Sequence, residues 1–596
     1  MRMVKVLKPL KSTALSIVVI SLMGGTTAAH AATLPDAATP GGVSAPIKLP
    51  EKPPVDIDLA IPPRKDRPID LEAGPLIDLD SISLFEIDKT GAKTRVDDAE
   101  ASTLIETALK EKEGKLTLGT LQLLADDLSN YFRAKGLILA TAYLPAQDVV
   151  NRSVELHLLP GVLDDVIPEG DVGYTAEQLR RPFVGMIGEP LRKDVIEEGL
   201  LTVLDYPGIS VTGILEPGAE KGATQMALTA EKQKRYQGVV YVDNNGSRYT
   251  GEERLGTGIT INNPFGLIDQ LDLSLVVQNK PDAEGADSVD NALSGGVTYQ
   301  FRPIDPSYIF GVGYTHNQYD VGRELANLGF SGETSEARVF VRKNIQRSRT
   351  NNLFAQVDLE VKAAEVAKDG VIQSEDNLTN LVFTLGFDRS DRLGQAGFTI
   401  GTVSLVQGLE DFLGSSENGE SSISRQTNDS SGAIDFTKLE LNFSRYQRLF
   451  DNLTFVTNFR GQYTNDALVS TEQFGIGGIS SVRAYSGAEY MADKGAYLGL
   501  ELVTNAPGFG DKAAFNGRTW KEVLQLSMFV DYAVGVKNDA LDNETADTEL
   551  SGAGIGLHLT PFPNWSANLT LSAPVGNIDA ANGRDPQFFA DIAYSF

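Results

Sequence analysis

From about residue 236 to the C-terminus the chain carries a two-residue rhythm. In Ala496–Leu502 the positions Ala496, Leu498, Leu500 and Leu502 are apolar, with Tyr497, Gly499 and Glu501 between them. In Leu524–Val534 the apolar set Leu524, Leu526, Met528, Val530, Tyr532 and Val534 alternates with Gln525, Ser527, Phe529, Asp531 and Ala533. Trp565, Ala567, Leu569, Leu571 and Ala573 alternate in the same way with Ser566, Asn568, Thr570 and Ser572. The pattern returns at Leu271–Gln278, Leu439–Ser444, Leu453–Thr464, Ala553–Leu559 and Phe588–Phe596. Successive strand residues point to opposite faces, so each segment has one apolar face and one small, polar face. A soluble β-sandwich also alternates, but two features favour a membrane barrel. The segments run to roughly ten residues, the length a tilted strand needs to cross a bilayer. Their connections also alternate in length. Asn263-Pro264, Pro303–Pro306, Arg389–Leu393 and Pro561–Asn564 are tight, whereas Asn279–Asp290, Val321–Glu333, Glu410–Gly432 and Asn465–Asp493 are long and polar. Short periplasmic turns and long external loops mark an outer-membrane barrel. The pattern predicts sixteen antiparallel strands over 236–596, near residues 238, 255, 271, 292, 307, 335, 353, 380, 396, 436, 453, 495, 522, 549, 565 and 587.

Upstream the period changes. Ser81–Ile87 reads as a strand, Ala99–Leu109 and Leu118–Phe132 as helices, and Ile138–Leu144 and Val154–Leu159 as strands. Leu118, Leu121, Leu124, Leu128 and Phe132 are spaced to share one helix face. The order then repeats, with Val162–Ile167 as strand, Ala176–Val184 and Leu191–Leu204 as helices, and Ser210–Leu215 and Gln225–Thr229 as closing strands. Two copies of a small α+β unit are expected, over 78–165 and 166–235. Residues 32–77 are punctuated by Pro35, Pro40, Pro46, Pro50, Pro53, Pro54, Pro62, Pro63, Pro68 and Pro75, which makes them an extended linker.

The first residues place the chain outside the cytoplasm. Arg2, Lys5, Lys8 and Lys11 precede the apolar stretch Thr13–Met23, and Ala29-His30-Ala31 follows as a small-residue cleavage site. The stretch is shorter than the roughly 20 residues of a spanning helix. A signal peptide over 1–31 is the expectation, and its removal takes four positive charges and no negative ones, from −28 to −32. Such a surface does not suit nucleic acid, whose phosphates need cationic partners. With no Cys there is no disulfide or thiolate metal site, and the four histidines (His30, His157, His316, His558) are scattered. No cofactor, metal or catalytic residue is expected.

The most distinctive string lies between the eleventh and twelfth strands. It is Gln473-Phe474-Gly475-Ile476-Gly477-Gly478, followed by Ser481-Val482-Arg483-Ala484-Tyr485. On the thirteenth strand, Phe529 and Asp531 fall on the polar, inward face. A loop folded inward would let the Arg483 guanidinium meet the Asp531 carboxylate; on spacing alone, two unrelated solvated charges remain the alternative. The glycines lack the Lys-Ser/Thr that completes a phosphate cradle. The chain ends at the aromatic Phe596, the last residue of an alternating strand and an outer-membrane barrel assembly signal.

Together these residues carry a resemblance. Two N-terminal repeats, sixteen strands, the long sixth loop and the Phe529-Val530-Asp531 motif resemble the POTRA-bearing outer-membrane assembly and transport barrels. The branch they are most similar to is that of the two-partner secretion transporters, the haemolysin-activator and filamentous-haemagglutinin-transporter group. Tyr131-Phe132-Arg133-Ala134-Lys135-Gly136 and Ala142-Tyr143-Leu144-Pro145-Ala146-Gln147 resemble the first POTRA repeat. Asp243-Asn244-Asn245-Gly246-Ser247 and Asn262-Asn263-Pro264-Phe265-Gly266 resemble the first barrel hairpin. The resemblance implies that Arg483, with Val482 and Tyr485 beside it, tucks into the lumen against Asp531 and Phe529. It implies POTRA capture of an unfolded secreted client, a large β-helical exoprotein, by strand addition, and passage of that client through the barrel. The barrel's other partners are then outer-membrane lipids and the barrel assembly machinery. Two departures stand out. Ala484 replaces the family's glycine, which implies a loop tip of different shape. The proline-dense linker argues against the N-terminal plug helix of many members.

Competing readings fit less of the chain. A barrel-assembly factor usually carries more POTRA repeats than the two legible here. A small-solute porin needs neither the repeats nor an inward loop. An outer-membrane lipase or protease needs a Ser-His pairing that the four histidines do not supply.

Overall fold

The computed structural model describes residues 59–60, 70–88, 90–219, 222–279, 292–428 and 430–596. The expected signal peptide, most of the expected linker and most of the Asn279–Asp290 loop lie outside the described residues. The chain divides into two compact units, Asp56–Lys234 and a second that contains Arg235–Phe596.

The first unit holds two four-stranded sheets. One has the order Lys93–Arg95, Ser81–Ile87, Ser153–Leu159, Thr141–Tyr143. Helices α1 (Ala99–Glu111) and α2 (Leu118–Ala134) belong to this module. Four of the five residues of the predicted stripe of α2 are the reason, because Leu121, Leu124, Leu128 and Phe132 bury against Leu84, Leu156 and Leu158, whereas Leu118 at the first position of the helix is exposed. Lys93–Arg95 was not expected; it is short and fully exposed, so it has no apolar alternation to announce it. Ordered contacts also begin before residue 78, since the Thr117 hydroxyl donates to the Leu71 carbonyl and Ile77–Asp78 pairs with Lys115–Leu116.

The Tyr131–Gly136 string turns out to be structural. Asp98 caps α1 by accepting the N–H groups of Glu100 and Ala101. One turn of α2 then clamps the cap: Tyr131 Oη donates to Asp98 Oδ1 at 2.6 Å and Lys135 Nζ to Oδ2 at 2.9 Å. The Tyr131 hydroxyl, the Ala101 N–H and the Lys135 ammonium hold the Asp98 carboxyl well below the usual carboxylate range.

In the second sheet, Leu59–Ala60 pairs parallel with Ile209–Pro217, followed by Ala223–Lys232 and Val162–Glu169. Its helices are α3 (Ala176–Arg180) and α4 (Lys193–Leu204). The helix expected over Ala176–Val184 tightens to a 3-10 turn at Arg181–Met186, where Pro182 cannot donate to a preceding turn.

The second unit is a closed barrel of sixteen antiparallel strands. They are β1 (Tyr236–Asp243), β2 (Arg254–Asn262), β3 (Gln270–Gln278), β4 (Ala292–Phe301), β5 (Tyr308–Asp320), β6 (Phe330–Gln346), β7 (Asn351–Lys368) and β8 (Val371–Asp391). The remainder are β9 (Gly397–Gly408), β10 (Thr437–Phe450), β11 (Leu453–Tyr463), β12 (Lys494–Asn505), β13 (Leu524–Val536), β14 (Asp547–Leu559), β15 (Trp565–Pro574) and β16 (Gln587–Ser595). Met528, Val530 and Tyr532 of β13 face outward and exposed, while Phe529 and Asp531 are buried inside. The seam is β1 on β16, with Tyr241 opposite Ala593. Gly238 and Phe596 exchange backbone hydrogen bonds at 3.0 and 3.2 Å. A Cβ on Gly238 would meet the Phe596 ring at 2.4 Å, so the aromatic lies directly over the glycine and a side chain there would displace it. Trp565, Tyr594 and Phe596 form a band of rings on that rim, as membrane interfaces favour.

Three connections depart from the expected lengths. Strand β6 runs out to Phe330, which shortens the loop expected over Val321–Glu333 to residues 321–329. Strands β7 and β8 project far on the external side and close over only Asp369-Gly370, both at positive φ, a two-residue hairpin turn. On the opposite rim, residues 506–523 form a long connection rather than a tight one. It folds on itself, with Phe509 and Trp520 packed beside Ala506 and Val523.

Replacing Asp98 by Ala should destabilise the periplasmic unit at neutral pH by about 1 kcal/mol, the usual worth of an N-cap. The folded-state carboxyl titrates below the unfolded one. Its contribution is therefore complete above roughly pH 3.9 and fades as pH falls toward the folded-state value. Urea unfolding of residues 70–234 should show the gap between native and variant narrowing below that pH.

Candidate functional site

The sixth external loop, residues 465–493, folds back into the barrel. Its two legs pair as a short hairpin, Phe474–Ile476 on Tyr490–Ala492. At the end of the first leg the chain must turn sharply, and Gly477 and Gly478 do so at φ 102° and 84°. A Cβ on Gly477 would lie 2.3 Å from the Ser486 carbonyl oxygen. The tip is closed by the Gly478 N–H donating to the Tyr485 carbonyl and the Tyr485 N–H to the Val482 carbonyl, both at 3.1 Å. At the base, Asp493 ties the legs. It accepts the Leu468 N–H at 3.0 Å, the Gln473 amide at 2.9 Å and the Arg425 guanidinium of the fifth loop at 2.5 Å.

The tip delivers Arg483 to the inner wall. Its Nε donates to Asp531 Oδ2 at 2.8 Å and its Nη2 to Oδ1 at 2.9 Å, a bidentate pair. The Arg483 backbone N–H adds a third bond to the same carboxylate at 3.1 Å, and Tyr497 Oη a fourth at 3.0 Å. Nη1 reaches Glu501 on β12 at 2.8 Å. The guanidinium sits 3.3 Å from the centroid of the Phe529 ring, a cation–π contact beside an ion pair. Ser572 of β15 donates to the Arg483 carbonyl. Asp531 is inaccessible to solvent, so its charge depends on these donors. Val482 and Tyr485 are buried on either side, and Tyr485 Oη donates to the Ile578 carbonyl at 2.8 Å.

The structure thus brings Arg483, Val482, Tyr485, Phe529 and Asp531 together, with Gly477 and Gly478 shaping the approach. Phe596 stands apart at the seam. Tyr497, Glu501 and Ser572 belong to the site as well. Alternation places all three on the inward face, but only the folded loop decides which of them Arg483 touches.

Ala484 stands where the family has glycine. It is not among the residues at positive φ, so the tip places no left-handed demand on it. Its methyl instead faces Gly552 of β14, where an added Cβ would lie 2.5 Å away. Gly554 makes room for the Phe529 ring in the same way, at 2.5 Å. The wall beneath the loop is therefore a smooth glycine strip into which the tip fits.

A closed antiparallel barrel whose lumen holds an arginine-tipped loop, preceded by small α+β modules, defines an outer-membrane transport barrel. The chain belongs to the haemolysin secretion/activation protein family ShlB/FhaC/HecB, whose family model matches residues 222–559, more than half of the chain. These are two-partner secretion transporters of the outer membrane, not enzymes. A ShlB-type POTRA domain matches residues 86–161, and such domains are periplasmic. The heme/hemopexin transporter protein HuxB of Haemophilus influenzae strain 86-028NP is 25% identical over 496 residues, covering 82% of this chain and 83% of that protein. The outer membrane transporter CdiB of Dickeya dadantii is 25% identical over 461 residues, 76% of each chain. Among solved structures, CdiB from Escherichia coli superposes with a TM-score of 0.68 at 21% identity, covering 89% of this chain and 93% of its own. BamA from Haemophilus ducreyi shares the fold at a TM-score of 0.51 and 13% identity, covering 87% of this chain and 100% of that one.

Gly552→Val should evict the tip, because a side chain there overlaps the Ala484 methyl. The chain has no cysteine, so a single Val482→Cys reports on tip docking. In the Gly552→Val background a membrane-impermeant maleimide should label it about tenfold faster or more, as expected for an overpacked site.

Proposed function

We propose that this transporter captures one dedicated secreted polypeptide in the periplasm and passes it, unfolded, through the barrel, with Arg483 holding the sixth loop in its resting position. The observation that carries the reading is the bidentate Arg483–Asp531 pair, which fixes a long loop inside a barrel of sixteen strands, a strand number that leaves an aqueous channel in porins. Residues 78–165 and 166–235 act as POTRA domains 1 and 2. Strand addition is the mode of capture. The Ile209–Pro217 strand already takes an extended segment, since Leu59 aligns with Gly213 and Ala60 with Ile214. The client is a large β-helical protein, and its folding outside the cell supplies the direction of transport. The barrel assembly machinery inserts the barrel through the strand ending at Phe596.

Arg483→Ala and Asp531→Ala should each lower secretion of the client several-fold, while the barrel still inserts and migrates as a folded species in cold detergent. Removing one partner of such a buried pair costs about 3–5 kcal/mol of the docked state. Normal secretion by both variants would remove the functional role of the pair. Loss of many outer-membrane proteins on gene deletion, with no secreted neighbour, would instead favour an assembly factor.

A further inference from the structure

The sixth loop has a second charged anchor, eleven residues before Arg483 on the first leg. At the end of the 3-10 turn Ser470–Glu472, the Glu472 carboxylate is buried between two lysines of the barrel wall. Oε1 accepts from Lys362 Nζ of β7 at 3.1 Å and from the Asn380 amide of β8 at 3.0 Å. Oε2 lies 2.9 Å from Lys438 Nζ of β10. The Glu472 carbonyl accepts from Lys438 Nζ at 3.1 Å and from the Gln462 amide of β11 at 2.9 Å. The stem is thus fastened to β7, β8, β10 and β11, whereas the tip is fastened to β12, β13 and β15. The two carboxylate–cation anchors share no residue; only β11 serves both ends of the loop among these contacts, through Gln462 at the stem and through Arg460 Nη1, which donates to the Ser480 carbonyl at 3.2 Å near the tip.

The stem anchor also has a distinctive charge arrangement. Lys362 keeps its own wall carboxylate, Glu360, at 3.1 Å, and Lys438 keeps Glu440 at 2.8 Å. If Glu472 leaves, neither lysine is stranded as an unpaired buried cation, which is the state that makes broken ion pairs costly. Glu472 meanwhile carries its charge into water. The tip lacks this provision on the wall side, because without Arg483 the Asp531 carboxylate retains, among the described residues, only the Tyr497 hydroxyl.

We propose that Glu472 is a second positioning residue for the sixth loop, forming with Lys362 and Lys438 a stem latch that holds and releases independently of the Arg483–Asp531 pair. The loop then has a state with the tip freed and the stem still fastened, in which it pivots within the lumen rather than leaving it. This rests on loop geometry alone and not on the nature of the cargo.

The test uses the full-length, cysteine-free barrel in detergent with one reporter at a time, Val482→Cys at the tip or Thr471→Cys at the stem, both buried in the docked loop. Labelling by an impermeant maleimide is the readout, and cold-gel mobility checks that each barrel is folded. Asp531→Asn should speed labelling at 482 roughly tenfold or more and leave 471 unchanged. Glu472→Gln should do the reverse. Equal exposure of both reporters by either substitution would overturn the proposal, since it would mean one network or a general loosening. So would a Glu472→Gln barrel whose stem reporter stays protected. If Glu472→Gln does not fold, Lys362→Gln leaves Glu472 on Lys438; it should give a smaller rise confined to 471, and no rise there would overturn the proposal.

Discussion

Inside a bilayer there is no water to satisfy a backbone N–H or C=O, and every other feature of this barrel follows from that constraint. A sheet in lipid cannot keep an open edge, so β16 must return to β1. The return fixes the inside and outside of every strand at once, because the side-chain period is two. It also explains the close fit at the seam, where Gly238 lets the Phe596 ring cross the joint.

Once closed, the barrel has an interior lined by the polar half of each alternation, and that lining contains charges. A buried charge is stable only beside its opposite. The sixth loop supplies opposites in two places, a cation at Arg483 and an anion at Glu472. Around them the loop buries Ile476, Val482, Ala484 and Tyr485 against the wall. The docked loop is therefore held by electrostatics at its ends and by close packing along its length. Neither alone would define one position, since an arginine can reach many carboxylates and an apolar strip can slide.

The fit between Ala484 and Gly552 shows how the wall and the loop compensate each other. The methyl group on one side is matched by its absence on the other. In the periplasmic unit the same economy appears in the Tyr131–Gly136 string. Phe132 enters the core, while Tyr131 and Lys135, one turn apart on the adjoining side of α2, bracket the Asp98 cap.

Local pattern determined much of this protein. The two-residue period named fifteen of the sixteen strands within about five residues of their observed starts, the exception being β8, expected near 380 and beginning at Val371. It also put Phe529, Asp531, Tyr497, Glu501 and Ser572 on the inner face. The helical spacing of Leu121, Leu124, Leu128 and Phe132 located α2. These are statements about which side of an element a residue takes, and periodicity encodes them directly. Asp369-Gly370 was a legible hairpin signal that the alternation around it obscured. Lys93–Arg95 was not legible, because an exposed edge strand of three polar residues has no apolar partner face. What only the tertiary structure decided is which inward residues meet. Glu472 and Lys362 are 110 residues apart, and Arg483 and Ser572 are 89 apart. Their contacts depend on barrel circumference, strand stagger and the depth to which the loop descends. Those are properties of the closed cylinder, and no stretch of sequence carries them.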